Sequence, residues 1–140
     1  MSDVDDARAV NASLYEAFET ADVDRMQRVW DDVAPDAVVC VHPGWPMLRG
    51  LGPVLRSWSA VMANTEYIQF FLTDVRVHVR GDVAVVTCTE NVLTEVTDAA
   101  HAGATVVATN VLVRRPDGWR MQVHHGSPVL GRLADEADGG

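Results

Sequence analysis

Basic residues are scarce in this chain: 11 Lys plus Arg stand against 20 Asp plus Glu, for a formal net charge of −9. No Lys/Arg run supplies a local exception, so a polyanion meets a repulsive field, which argues against nucleic acid and anionic membranes as partners. Long apolar runs are missing as well. No window approaches the about 18 consecutive apolar residues of a membrane-spanning helix, and the opening segment Met1 to Asp6 is acidic where a signal peptide is basic and then apolar. The expectation is a soluble, cytoplasmic protein. Cysteine is limited to Cys40 and Cys88, both inside apolar, strand-like runs and without CxxC spacing, which reads as free buried thiols. There is no GxGxxG, no Walker loop and no GxSxG, so neither a nucleotide cofactor nor a serine-hydrolase elbow is supported.

What is present suits one domain. A chain of 140 residues with 48% hydrophobic content can bury roughly two thirds of the surface its unfolded form exposes. Residues 1–130 read as that domain, and the Gly- and Asp-rich residues 131–140 as a disordered tail. After a frayed acidic stretch over 1–6, the apolar positions Ala7, Val10, Leu14, Ala17 and Phe18 predict a helix ending near Thr20. Asp22 then caps a short helix in which Val23, Met26 and Trp30 form one stripe, stopped before Pro35. A third helix starts near Gly50, with Pro53 in its first turn and Val54, Leu55, Trp58, Val61 and Met62 at helical spacing. From Tyr67 the period becomes two. Phe71, Val75, Val77 and Val79 share one parity, Gly81-Asp82 turns the chain into a strand from Val83, a connection runs from Thr97 to Gly103, and Pro116 to Gly118 turn the chain into a final strand from Trp119 to His125. Three helices and a long antiparallel meander make an α+β domain with the helices on one face of a curved sheet.

The stretch Ala37 to Gly50 organises the rest. An apolar, β-branched run reaches His42 and is broken by Pro43, Gly44 and Pro46, which is a buried strand entering a rigid loop. His42, Trp45 and Arg49 lie within eight residues of one another. Either they rim a pocket, or Trp45 plugs the end of the core and Arg49 caps it.

Counting outward from a three-residue turn at Pro116–Gly118 pairs Arg115 with Trp119, Asn110 with His124 and Thr109 with His125. A symmetric connection before Ala104 sets Glu90 opposite Asn110. Glu90, Asn110 and His124 would then form a row of carboxylate, amide and imidazole, suited to general base, orienting group and proton acceptor. The parity holding Val83, Val85, Thr109, Val111, Val113, Trp119, Met121 and Val123 is the more apolar, however. If the helices cover that face, the row becomes a polar network in a dimer interface and His125 turns inward; otherwise the row lines a pocket. His42, His124, His125 and Glu90 have no metal-ligand spacing, so no metal is expected. His78 and His101 read as exposed edge and loop residues.

Three phrases carry a family resemblance: Trp30 followed by Asp36 to Pro43, Arg49-Gly50 leading into Trp58, and Thr109 to Pro128 with its Thr-Asn, Asp-Gly-Trp and His-His-x-Ser-Pro elements. Over Ala7 to Val129 the chain resembles the SnoaL-like, ketosteroid isomerase-like branch of the nuclear transport factor 2 superfamily. The resemblance implies a cone-shaped half-barrel of cystatin-like topology, in which a curved, mixed, mainly antiparallel sheet carries three N-terminal helices on its concave face. It also implies a homodimer formed through the sheet. The superfamily holds isomerases, cyclases, dehydratases and non-catalytic binding domains, so function must come from the site.

The expected function is a pocket for a small hydrophobic molecule, with cofactor-independent isomerase, cyclase or dehydratase chemistry on an apolar carbonyl compound. Glu90, His42, His124 and His125 are the proton-transfer candidates; Trp45, Trp58, Asn110, Trp30 and Arg49 are the candidate ligand contacts. The alternative is a non-catalytic dimeric domain that binds a ligand or a protein, with the histidines and Asn110 serving structure.

Overall fold

The computed structural model describes residues 2–95 and 101–130, without the side chains of 101 and 102. The expected tail 131–140, residues 96–100 of the expected connection and the side chain of His101 lie outside that description. From residue 2 onward the acidic start, expected to fray, is a cap and the first turn of a helix. Ser2 accepts a hydrogen bond from the Asp5 amide and caps helix α1 (Asp3–Glu19), whose first turn holds Asp3, Asp5 and Asp6 against the positive end of the helix dipole. Helix α2 (Val23–Val29) is capped by Asp22 through the Arg25 amide, as its sequence predicts.

Trp30 departs from the expected helical stripe. α2 ends at Val29 and Trp30 is extended, bridging in parallel to Met121, while Val23 faces solvent. Asp31 is the physical reason. Its fully buried carboxylate takes both arms of Arg115 at 2.8 and 2.7 Å and the amides of Val33 and Ala34. Its own amide donates to Met121 O. The charge cannot be left unpaired in the core, so the chain leaves the helix to lie along the sheet.

Strands β1 (Val39–Val41) and β2 (Leu48–Arg49) precede α3 (Leu51–Ala63), and β3 (Ile68–Arg80), β4 (Val83–Glu95), β5 (His101–Arg115) and β6 (Gly118–Pro128) complete the chain. The six strands form one sheet in the order β2-β1-β6-β5-β4-β3. Only β1 with β6 is parallel. The fold is therefore α+β, three helices over a mixed, mainly antiparallel sheet.

Two bulges set which side chains enter the core. Between Thr73 and Arg76 the β3–β4 register slips around Asp74, at φ +51°. Phe70 and Leu72 thus share the inner face with Val75, Val77 and Val79, while Phe71, expected with those valines, points outward. On β6 the expected three-residue turn is a two-residue one, because Arg115 pairs with Gly118 and Arg114 with Trp119. Gln122 is then bulged, since Val111 pairs with Val123 and Leu112 with Met121. The bulge restores the lost residue, and Asn110 meets His124 as the count predicted.

No such compensation occurs between β4 and β5. Glu95 pairs with His101, a tighter connection than the expected one, so Glu90 lies opposite Val106 and Asn110 opposite Val86. Glu90 keeps the parity of Asn110 but sits two inward-facing positions further along. The helices cover this face: Ala84, Val86, Cys88, Ala108 and Leu112 are buried with Leu14, Met26, Trp30 and Val54, and of the more apolar parity only Trp119 and Met121, which the Gln122 bulge turns inward, join them. Each large apolar side chain so enclosed contributes about 2 kcal/mol.

Candidate functional site

Inner-face polar residues are the exception on such a surface, and four stand out as buried: Glu90, Asn110, His124 and, beyond β1, His42. Parallel pairing sets Cys40 beside His124, and His42 shares the parity of Cys40, which brings two imidazoles to one end of the sheet. The loop after His42 reads directly from sequence. Trp45 N donates to His42 O at 2.8 Å and Gly44 has φ +81°, the signature of a type II turn with Pro and Gly at its centre. Gly126 lets this turn seat on β6, because a Cβ there would meet Pro43 Cγ and Val106 Cγ1 at 3.2 Å. Trp45 then stands edge-on to His42, centroids 4.9 Å apart, and His42 edge-on to Trp58 at 4.6 Å.

The result is a cavity of about 270 Å³ walled by Phe18, Trp45, Trp58, Phe70, Val92 and Val106, with Tyr15, His42, Glu90 and His124 as its polar groups. A larger, open groove of about 850 Å³ lies between α1, α2 and the β5–β6 turn. Its charges mostly answer one another, as Arg114 with Asp3, Arg25 with Glu16 and Arg120 with Asp117.

A hydrogen-bond chain runs behind the cavity wall. Tyr15 Oη donates to Glu90 Oε2 at 2.7 Å. Asn110 Nδ2 donates to Asn11 Oδ1 at 2.7 Å and to Tyr15 Oη at 3.2 Å. Asn110 Oδ1 accepts from His124 Nδ1 at 2.6 Å. On the other side, Ser57 Oγ commits its hydrogen to Val54 O at 2.6 Å, so the 2.8 Å contact with His42 Nε2 is donated by the imidazole.

Burial decides the protonation states. It pushes the Glu90 carboxyl up to about 7, against the lowering effect of the Tyr15 hydrogen bond. It drives His42 down to about 4 and His124 to about 3, the latter helped by the nearby His42 and His125. Tyr15 is held far above an ordinary phenol by burial and the Glu90 charge. The cavity therefore holds one carboxyl poised near neutrality and two imidazoles that stay uncharged.

The candidates named from sequence divide. Glu90, His42, His124, Trp45 and Trp58 meet at the cavity. Asn110 lies behind it with every amide hydrogen engaged, so it orients rather than contacts a ligand. Trp30 is fully buried in the core and Arg49 is exposed on the edge strand β2; neither reaches the wall. His125, one residue from His124, points out of the opposite face. Tyr15, Asn11, Ser57 and Phe70 were not singled out. The spacing i, i+4, i+7 of Asn11, Tyr15 and Phe18 was the available signal, a polar pair inside an apolar helical stripe. Among the described residues no three His, Cys, Asp or Glu side chains converge as a metal centre requires. No helix among them is long and apolar enough to cross a membrane.

With that geometry in hand, residues 7–131 match the model of the SnoaL-like domain. An NTF2-like family protein from Streptomyces avermitilis, provisionally assigned as a dehydratase, is 50% identical, with a TM-score of 0.85 over 91% of this chain and 97% of its own. A provisionally assigned calcium/calmodulin-dependent protein kinase type II association domain from Thiobacillus denitrificans is 30% identical, with a TM-score of 0.77 over 88% and 94%. A provisionally assigned ketosteroid isomerase from Shewanella frigidimarina shares the fold at 18% identity, with a TM-score of 0.70 over 85% and 92%. A comparison with curated proteins found no match.

Proposed function

From the premise that the chain belongs to the SnoaL-like domain family, we propose that it is a cofactor-independent acid–base enzyme acting on a small apolar carbonyl compound, by dehydration or isomerisation. The observation that carries this reading is Glu90, a carboxyl inside an aromatic cavity with its pKa raised to about 7. Such a group exists in both forms at neutral pH and can take and return a proton within one turnover. As carboxylate it removes a hydrogen from the carbon next to the carbonyl; as acid it gives that proton to a second carbon, or to a hydroxyl that leaves as water. Tyr15 steadies the charged form. His124 and His42, held neutral, orient the substrate and do not act as strong bases.

The 50% identical relative assigned as a dehydratase supports the same choice. The association-domain relative favours the second reading, a non-catalytic domain that binds a ligand or a protein. Proton NMR in D2O separates them with 2-tetralone as probe. The enzyme reading expects the protein to accelerate hydrogen exchange next to the carbonyl and Glu90→Gln to abolish about 10²-fold or more of that acceleration. Equal exchange with wild type and variant would remove Glu90 from the chemistry. The homodimer through the sheet is proposed on the outer face, where Phe71, Val83 and Val107 are exposed. Light scattering at micromolar concentration tests it, with a monomeric mass as the contrary result.

A further inference from the structure

Ionised Glu90, His42 and His124 offer the cavity lone pairs, and the hydrogens of Tyr15 and Asn110 beside it are already engaged. The Tyr15 hydroxyl hydrogen goes to Glu90 and both Asn110 amide hydrogens go to Asn11 and Tyr15. His124 is fixed with its hydrogen on Nδ1, given to Asn110 Oδ1, because the opposite amide orientation would set Asn110 Oδ1 against Asn11 Oδ1. Its Nε2 is then a bare acceptor. His42 is fixed the other way, with its hydrogen on Nε2 toward a Ser57 hydroxyl already donating to Val54 O, which leaves Nδ1 as the acceptor. Among the described residues, the sealed polar side-chain atoms without a partner are Trp30 Nε1 and Trp58 Nε1. His124 Nε2 and His42 Nδ1 have no protein partner either, so each keeps access to the open space of the cavity. The Trp58 indole N–H is sealed from that open space and lies on the side of the buried Cys40 thiol, whose pKa it lowers against the larger, raising effect of burial.

We propose that this cavity selects an uncharged one- or two-ring compound carrying a hydroxyl group, whose hydrogen is donated to His124 Nε2, with His42 Nδ1 and Glu90 as further acceptors. The inference rests on the cavity being the ligand site and adds what the ligand must bring to it. Size sets the ring count. An apolar cavity of about 150 Å³ encloses benzene, so about 270 Å³ takes roughly one ring more. Charge sets the rest. No cationic side chain lines the cavity, and both imidazoles resist protonation, so an anion finds no counter-charge and faces Glu90. Donor-bearing ligands are favoured because a buried acceptor that loses water without gaining a hydrogen is penalised. A hydroxyl set beta to a carbonyl meets this requirement and is also the leaving group of a dehydration.

Matched probes test the requirement by titration calorimetry at pH 7: naphthalene, 2-naphthol, 2-methoxynaphthalene and 2-naphthoate. We expect 2-naphthol to bind at least tenfold more tightly than its methyl ether, and 2-naphthoate to be the weakest of the four. Equal affinity of naphthol and ether, or tightest binding of naphthoate, overturns the donor requirement and leaves the cavity as a ligand site. If none of the four binds, the cavity reading falls and this inference with it. Nitrogen-15 NMR of the imidazoles is an independent check, expected to show His124 protonated on Nδ1 and His42 on Nε2; the opposite tautomer at His124 contradicts the proposal.

Discussion

Tyr15 donates its phenolic hydrogen to Glu90 Oε2 at 2.7 Å, from a helix to a strand 75 residues away in sequence. That contact ties the helical layer to the one carboxyl in the cavity, and it opposes the burial that raises the carboxyl's pKa. Tyr15 thus sets how much of Glu90 is charged at neutral pH, while the Glu90 charge and burial together keep Tyr15 itself protonated.

Tyr15→Phe removes a hydrogen bond that favours the carboxylate, so the Glu90 pKa moves above about 7 and the pH profile of any Glu90-dependent exchange shifts to the alkaline side. Asn110 keeps its bond to Asn11, which limits the stability loss to about 1–3 kcal/mol. Carbon-13 titration of the Glu90 carboxyl checks the direction. An unmoved or lowered pKa would mean that the hydroxyl does not govern this group.

Stability against pH follows from the same group. Glu90 has a folded pKa near 7, above the ordinary carboxylate value of 4.5. The native state therefore resists ionising it: there is no penalty below 4.5, a growing one as pH climbs, and the full penalty, roughly 3 kcal/mol, above about 7. Glu90→Gln carries no such penalty and keeps an acceptor for Tyr15. Its melting temperature relative to wild type is expected to rise between pH 5 and pH 8.5. The histidines act at the other end: His42 and His124 have lowered folded pKa values, so stability they support above about pH 6.5 is lost as pH falls toward 3 in both proteins. A flat difference between Glu90→Gln and wild type over that range would contradict the raised Glu90 pKa.

Far from the cavity, Arg115 and Asp31 form the one ion pair with a fully buried partner among the described residues. Asp31 is held down to about 2, chiefly by Arg115, so its contribution is present above about pH 4 and disappears as pH falls toward 2. Arg115→Gln leaves a buried carboxylate with the Val33 and Ala34 amides and a 3.4 Å contact from Gln122 Nε2 but no cation, at an expected cost of about 3 kcal/mol in denaturant unfolding at pH 7. Because Asp31 directs Trp30 onto β6, the same variant should also alter Trp30 fluorescence in the native state.

The element order was legible because helical and strand periods are clearly separated in this chain, and the cap at Asp22 and the first-turn Pro53 mark two helix starts. The rigid loop after His42 was legible from Pro43, Gly44 and Pro46, and the structure makes His42 to Trp45 a type II turn. Register was legible only in part. Asn110 opposite His124 follows from two features that cancel, a shorter turn at Pro116-Asp117 and a bulge at Gln122; neither has a residue signature strong enough to read. Glu90 was misplaced by four residues because the length of the connection near 96–100 is invisible in composition. Apolar parity also pointed to the wrong face. Here the inner face carries its polar residues at the cavity, and averaging over the strand dilutes the very signal that marks the site.

The mouth of the cavity offers a test that separates binding from stability. Trp45 is 44% exposed, so truncating it forfeits little burial, and Trp45→Ala should lower stability by less than about 1 kcal/mol. It does remove the outer wall beside His42, and 2-naphthol affinity is expected to fall about tenfold. Gly126→Ala makes the complementary change. A methyl there comes within 3.2 Å of Pro43 Cγ and Val106 Cγ1, and since the proline ring cannot fold away, the turn must lift by a few tenths of an ångström. Overpacking of this kind costs about 1–3 kcal/mol, so Gly126→Ala is expected to lose stability and affinity together, whereas Trp45→Ala loses affinity almost alone. If Trp45→Ala binds 2-naphthol as wild type does, Trp45 is not part of the ligand's wall.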